Sequence, residues 1–149
     1  MGFEEKLAQL KQISEIAALA GLKGEISEDG FAYMLGFELD GGRSQVVRVR
    51  PTMQTPDGQP IVTIDSPCLV VKKGLLSGIS KDQALELLRL NEQFPFARFG
   101  IVESDDASMV VSSIDHLLST LDPDELRHSA WCVAMAADSY EEKHGGDVF

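Results

Sequence analysis

Residues 31–50 have the sequence FAYMLGFELDGGRSQVVRVR, and this stretch decides the fold. In its first half every odd position is large and apolar, as in a half-buried β-strand whose successive side chains point to opposite faces. Asp40-Gly41-Gly42 forms a turn, and the chain returns as a second strand, 43–50, with valines facing inward and arginines outward. Two strands joined by so short a turn must pair antiparallel.

The sequence on both sides of this hairpin supplies further strands. We predict strands at residues 24–27, 61–71, 96–103 and 108–114, the last two forming a second hairpin. Residues 51–60 predict an exposed loop, because they contain the turn sequence Thr55-Pro56-Asp57-Gly58. Ser66-Pro67 interrupts one strand, and since proline cannot donate to a β-ladder, it predicts either a sheet edge or a bulge.

Three segments have the period of an amphipathic helix, and residues 2–20 form the first. The second begins at Ser80, with Gln83 placed to complete a capping box, and the third begins at Asp122, with Glu125 in the same position. The apolar face of the second helix consists of Ala84, Leu87 and Leu88, with Leu85 beside them. This order of elements, α-β-β-β-(β)-α-β-β-α, predicts an α+β fold in which helices pack on an antiparallel sheet.

The last helix has two apolar sides. One stripe should pack on the sheet and consists of Leu126, Ala130, Val133, Ala137 and Tyr140. Trp131 and Met135, with Cys132 near them, lie roughly opposite. A helix that is apolar on both sides is usually covered on both, either by its own fold or by another chain. Trp131 is therefore either core or interface, and the residues we assign to a candidate protein-binding or dimer interface are Trp131, Met135, Cys132 and Met34.

Composition excludes several classes of function. The 149 residues, 44% of them hydrophobic, suffice for one domain, 1–149, in which we expect 143–149 to be a flexible tail. A formal net charge of −11 repels phosphate backbones, so we expect no nucleic-acid partner. The first residues lack the positive charge of a signal peptide, and no apolar stretch reaches the length of a membrane span. We therefore expect a cytoplasmic protein that does not bind membranes.

Reactive side chains are dispersed along the chain. His116, His128 and His144 occupy unrelated segments without a surrounding motif, which favours solvated surface histidines. Cys68 and Cys132 are far apart, each in an apolar segment, which indicates buried free thiols. None of these residues has the spacing of a zinc site. We therefore predict no catalytic activity, no metal and no cofactor.

The second half of the chain resembles bacterial proteins of the YbjN family, which share the type III secretion chaperone-like fold. The resemblance rests on LNEQFPFARF at 90–99, where a helix end leads into an aromatic strand. It also rests on LDPDELR at 121–127, which opens a helix, and on ADSYE at 137–141, which closes that helix. Members of this superfamily are small acidic dimers that hold an unfolded or extended segment of another protein without ATP or catalytic residues, and the resemblance implies the same here.

Two functions follow as hypotheses. The first is a chaperone-like module that holds an extended or unfolded segment of a client protein, with a possible role in secretion. The second is a dimeric regulator of the sensory-transduction type in the YbjN family, which binds a folded partner. The resemblance and the second apolar side of the last helix both predict a homodimer.

Overall fold

An antiparallel sheet is the centre of the computed structural model, which describes residues 2–74, 78–145 and 148–149. In chain order the elements are α1 (Phe3–Leu19), β1 (Gly24–Ile26), β2 (Tyr33–Glu38), β3 (Ser44–Gln54), β4 (Pro60–Lys72), α2 (Lys81–Leu90), β5 (Arg98–Glu103), β6 (Ala107–Leu117) and α3 (Pro123–His144). Within these segments the strands lie in the order β1-β2-β3-β4-β6-β5, each antiparallel to its neighbours. The predicted α+β order is confirmed, including the short leading strand.

Side chains from α1, α2 and α3 join alternate residues of the strands in a common hydrophobic core. The last helix crosses β3, β4 and β6 and lies beside α1, whereas α2 packs against β5. The stripe predicted to face the sheet is fully or almost fully buried: Leu126, Ala130, Val133, Ala137 and Tyr140. Its alanines add little bulk, which lets neighbouring elements approach α3 closely.

Both capping boxes form as predicted. The Ser80 hydroxyl accepts a hydrogen bond from the Gln83 amide, and the Gln83 side chain accepts one from the Ser80 amide. Asp122 and Glu125 exchange the same pair of bonds at the start of α3. Each box satisfies backbone N–H groups that a helix start otherwise leaves without partners.

The prediction of an exposed loop at 51–60 is wrong at both ends. Strand β3 continues through Pro51, which is buried, and β4 begins at Pro60. A register shift between Pro51 and Met53 accommodates the proline, because a bulge removes the need for its missing N–H. The loop therefore consists of residues 55–59.

Ser66-Pro67 marks a bulge, not an edge. The register of β4 against β6 shifts between Pro67 and Leu69, while β4 itself lies between β3 and β6. The alternative of a bulge is thus confirmed and that of a sheet edge is wrong. Within the described residues, the outer strands of the sheet are β1 and β5.

Three large apolar residues lie elsewhere than predicted. Strand β2 begins at Tyr33, so Phe31 lies outside it and is 53% exposed. Leu88 is exposed, while Leu87 carries the contact of α2 with the core. Phe96 precedes β5 and has a positive φ of 64°, a conformation that side chains other than glycine rarely adopt.

The predicted flexible tail, 143–149, coincides only in part with the described residues. Its first two residues form the last turn of α3, where Lys143 Nζ lies 2.5 Å from Glu86 Oε1. The backbone amides of Val148 and Phe149 donate to Glu141 Oε1. Gly146 and Asp147 lie outside the described residues, and the flexibility of the segment stays a prediction.

Candidate protein-binding surface

The structure brings Trp131 and Met135 together on the outer side of α3. They lie one helical turn apart and are 46% and 43% exposed. The Trp131 ring contacts Phe37 of β2, with ring centroids 5.8 Å apart. Among the described residues, then, the core covers only about half of the indole, and the other half is surface.

Met34 and Cys132 do not join this pair. Tyr33 and Leu35 point into the core, so Met34, which lies between them on β2, points to the opposite face of the sheet. Cys132 is partly buried and lines a different cavity on the other flank of α3. The four residues assigned from sequence therefore lie in three separate places.

A groove of about 390 Å³ runs beside Trp131, between α3 and the turn that joins β2 to β3. We call it the Trp131 groove. Its apolar lining consists of Trp131, Met135 and Leu39, and its carboxylates are Glu38, Asp40, Asp138 and Glu142. Arg43 also lines it, and its Nε donates to Asp138 Oδ1 at 2.7 Å. The Asp40–Gly42 turn shapes one wall, since Gly41 and Gly42 both adopt a positive φ.

The second cavity, of about 480 Å³, lies between α3 and β6 and is lined by Phe96, Ile114, His116, Ser129 and Cys132 among others. His116 Nε2 lies 2.8 Å from Ser129 Oγ, so His116 is a partly buried, hydrogen-bonded residue and not the solvated one predicted. The neighbouring Asp115 accepts a hydrogen bond from Thr63 instead and lies on the opposite face of the sheet. Among the residues that the structure describes, no carboxylate is hydrogen-bonded to His116, as the orienting residue of a catalytic triad would be.

Burial lowers the reactivity of both thiols. Cys68 is buried, which raises the pKa of its thiol to about 12, and its Sγ donates to the Val110 carbonyl at 3.3 Å. Partial burial also raises the pKa of Cys132. Because the thiolate is the nucleophilic form, a raised pKa makes each cysteine a poorer nucleophile at neutral pH.

On the other face of the sheet, a buried carboxylate pairs with two arginines. Asp65 is 1% exposed and contacts both Arg48 and Arg50 of the adjacent strand. Arg48 Nε donates to Asp65 Oδ1 at 2.6 Å, and Arg50 Nε donates to Asp65 Oδ2 at 3.0 Å. The sequence predicted outward-facing arginines and did not identify this partner.

Sequence reasoning also missed that several large apolar side chains on α2 and near β5 are exposed. They are Leu85 and Leu88 on α2, Phe96 just before β5, and Ile101 and Val102 on β5. For the two residues on β5, the sequence signal is a break in the alternation of apolar and polar residues, because Ile101 and Val102 are adjacent. On a strand such neighbours point to opposite faces, so the core cannot cover both.

The described residues contain no group of three or more His, Cys, Asp or Glu side chains placed to hold a metal ion. In the same part of the chain, no helix has the length and apolar character needed to cross a membrane.

Comparison with solved structures confirms the type III secretion chaperone-like fold. The chain is similar to the type III secretion chaperone SycH of Yersinia pestis, whose crystal structure is a complex with a stable fragment of YscM2. The TM-score is 0.50 and the sequence identity 18%, and the alignment covers 89% of this chain and 98% of the SycH chain. No family model and no curated protein sequence matches the chain. At this identity the likeness shows the fold alone, and membership of the YbjN family stays a prediction.

Proposed function

We propose that the protein is a non-catalytic, chaperone-like module that binds an extended segment of another protein chain. The observation that carries the proposal is the Trp131 groove, where a tryptophan and a methionine are 46% and 43% exposed on a helix whose other side packs in the core. Exposed aromatic and methionine side chains in a concave surface are typical of protein interfaces. The fold supports the proposal, since SycH, which shares it, was crystallised with a protein fragment.

The sheet offers a second means of holding an extended segment. Strand β5 has six residues, Arg98–Glu103, and in the described part of the chain it pairs only with β6. An incoming segment can add to such an edge through backbone hydrogen bonds, while pockets receive alternate side chains. Backbone pairing and the Trp131 groove would then contribute affinity and selectivity, respectively.

Co-purification tests the proposal. From cells that express the tagged protein under native conditions, we expect one partner to be recovered in stoichiometric amount, and we expect that partner to aggregate when the tagged protein is absent. A folded partner whose activity changes on binding would instead support the dimeric regulator. Recovery of no partner after chemical cross-linking would contradict both.

We further propose that the chain forms a homodimer through the exposed side chains of Leu85 and Leu88 on α2. The Trp131 groove is a poor self-interface, because two-fold symmetry would bring its carboxylates against those of the second copy. Light scattering at micromolar concentration should give twice the chain mass of 16.2 kDa. Leu88→Glu should return the monomer mass, while the same substitution at Leu19, another exposed leucine, on α1, should leave the dimer intact. A wild-type mass of 16.2 kDa would contradict the proposal.

A further inference from the structure

The Trp131 groove has an aromatic wall that solvent can reach. Phe37 packs against the indole, with ring centroids 5.8 Å apart and planes at 56°, and so fixes its position. The remaining 46% of Trp131 is exposed, and Met135 extends the same wall by one helical turn. The position of the indole is therefore already fixed in the unbound protein.

The groove also carries a negative charge. The carboxylates of Glu38, Asp40, Asp138 and Glu142 line it, against the guanidinium of Arg43, which leaves a formal charge of −3 among the described lining residues. Arg43 already pairs with Asp138 at 2.7 Å. The carboxylates of the other three residues belong to exposed positions around the indole.

The exposed face of the indole and the carboxylates of Glu38, Asp40, Asp138 and Glu142, which we call the carboxylate rim, both favour a positively charged group. The face of an indole ring attracts a cation, and tryptophan does so more strongly than the other aromatic residues. Lysine and arginine also have aliphatic stems, which can pack along Met135 and Leu39 while the charged end reaches the rim. A purely apolar side chain would pack against Trp131 and Met135 but would gain nothing from the carboxylates. An acidic side chain would be repelled by them.

We propose that the Trp131 groove binds a lysine or arginine side chain that projects from the partner's extended segment. This inference rests on the proposed function and specifies the chemistry of the partner at this groove. The chain's net charge of −11 acts in the same direction, since it attracts a basic segment over a longer range.

The test uses Trp131 itself as the reporter, because it is the protein's sole tryptophan. The probe is a synthetic peptide of about twelve residues rich in lysine, arginine and leucine, and its matched control has glutamine at every basic position. Titration into the protein should change the Trp131 emission saturably, and the basic peptide should bind at least about tenfold more tightly than the glutamine peptide. Its affinity should fall as salt is raised, because salt screens the rim.

Substitutions can distinguish the contribution of the carboxylate rim to binding from that of the indole ring. Glu142→Gln and Asp40→Asn should each weaken the basic peptide about threefold or more, while Glu92→Gln, an exposed glutamate outside the groove, should change nothing. Trp131→Leu removes the π-face but keeps an apolar side chain. The fluorescence anisotropy of dye-labelled peptides measures binding to this variant. The substitution should weaken binding of the basic peptide about threefold to tenfold and leave binding of the glutamine peptide almost unchanged.

Three outcomes would overturn the inference. Equal binding of the basic and glutamine peptides would make the groove a purely apolar site, and the proposed function would stand. Binding of tetramethylammonium as tight as that of the basic peptide would assign the groove to small cations. If neither peptide changes the emission, the groove binds no such segment, and the co-purification alone then decides the proposed function.

Discussion

Replacement of Asp65 by alanine is expected to lower the free energy of unfolding by about 2–4 kcal/mol. Asp65 is 1% exposed and accepts hydrogen bonds from both Arg48 and Arg50. The two arginines lie two positions apart on the same face of β3, so their guanidinium groups face one carboxylate. Alanine would leave two positive charges side by side at a partly buried position, and because both arginines keep some contact with water, the expected loss is below that of a fully buried pair.

Urea titration followed by circular dichroism measures this loss. Asp65→Asn keeps the shape of the side chain and one acceptor oxygen, so its midpoint should lie between those of the wild type and Asp65→Ala. Asp105→Ala, which removes an exposed carboxylate from the β5–β6 turn, should stay within about 0.5 kcal/mol of the wild type. Equal midpoints for Asp65→Ala and the wild type would show that the arginine contacts contribute no more than ordinary surface ion pairs.

Asp65 also shows why part of the surface could not be predicted from the sequence. Strand alternation places Arg48 and Arg50 outward, and the structure agrees. That Asp65 meets them depends on the register of β3 against β4, which pairs Arg48 with Asp65. The alternation of β4 fixes the face of Asp65, but a shift of two residues would keep that face and give Asp65 another partner on β3, and strand alternation alone does not exclude such a shift.

In the candidate site, too, features set within one helix or strand could be predicted, whereas contacts between distant segments could not. The period of α3 predicted that Trp131 and Met135 lie away from the sheet, because periodicity is a property of one helix. The carboxylate rim combines Glu38 and Asp40 with Asp138 and Glu142, which are about a hundred residues apart, and only tertiary packing brings them together. Met34 lies apart from the groove, on the opposite face of the sheet from Tyr33 and Leu35, and its role in an interface stays a prediction.

In the fold, structural features whose interacting residues all lie within one helical turn were predicted correctly. The capping boxes at Ser80 and Asp122 each involve residues three positions apart, so the sequence contains all their partners. Ser66-Pro67 is the contrasting case. Its alternatives, bulge and edge, could not be separated without knowing that β6, which comes after α2 and β5 in the chain, pairs along β4.

Trp131→Glu is expected to weaken partner binding by about 30-fold or more while preserving a cooperative unfolding transition. The indole supplies the exposed wall of the Trp131 groove, and glutamate removes both its apolar area and its π-face. Because Trp131 is 46% exposed, the lost contact with Phe37 should cost about 1–2 kcal/mol of stability. Binding should therefore be lost from a folded protein, as measured by co-purification and thermal unfolding of the same preparation.

Two further substitutions on α3 determine how that result is interpreted. Leu126→Glu buries a charge at a position that is 0% exposed, and it should abolish the cooperative transition. Trp131→Lys should weaken binding more than Trp131→Glu does, because a lysine would meet the partner's own basic side chain, whereas a glutamate adds to the acidic rim. If Trp131→Glu loses its transition as Leu126→Glu does, Trp131 is a core residue, and the protein-binding surface must be sought on another part of the molecule.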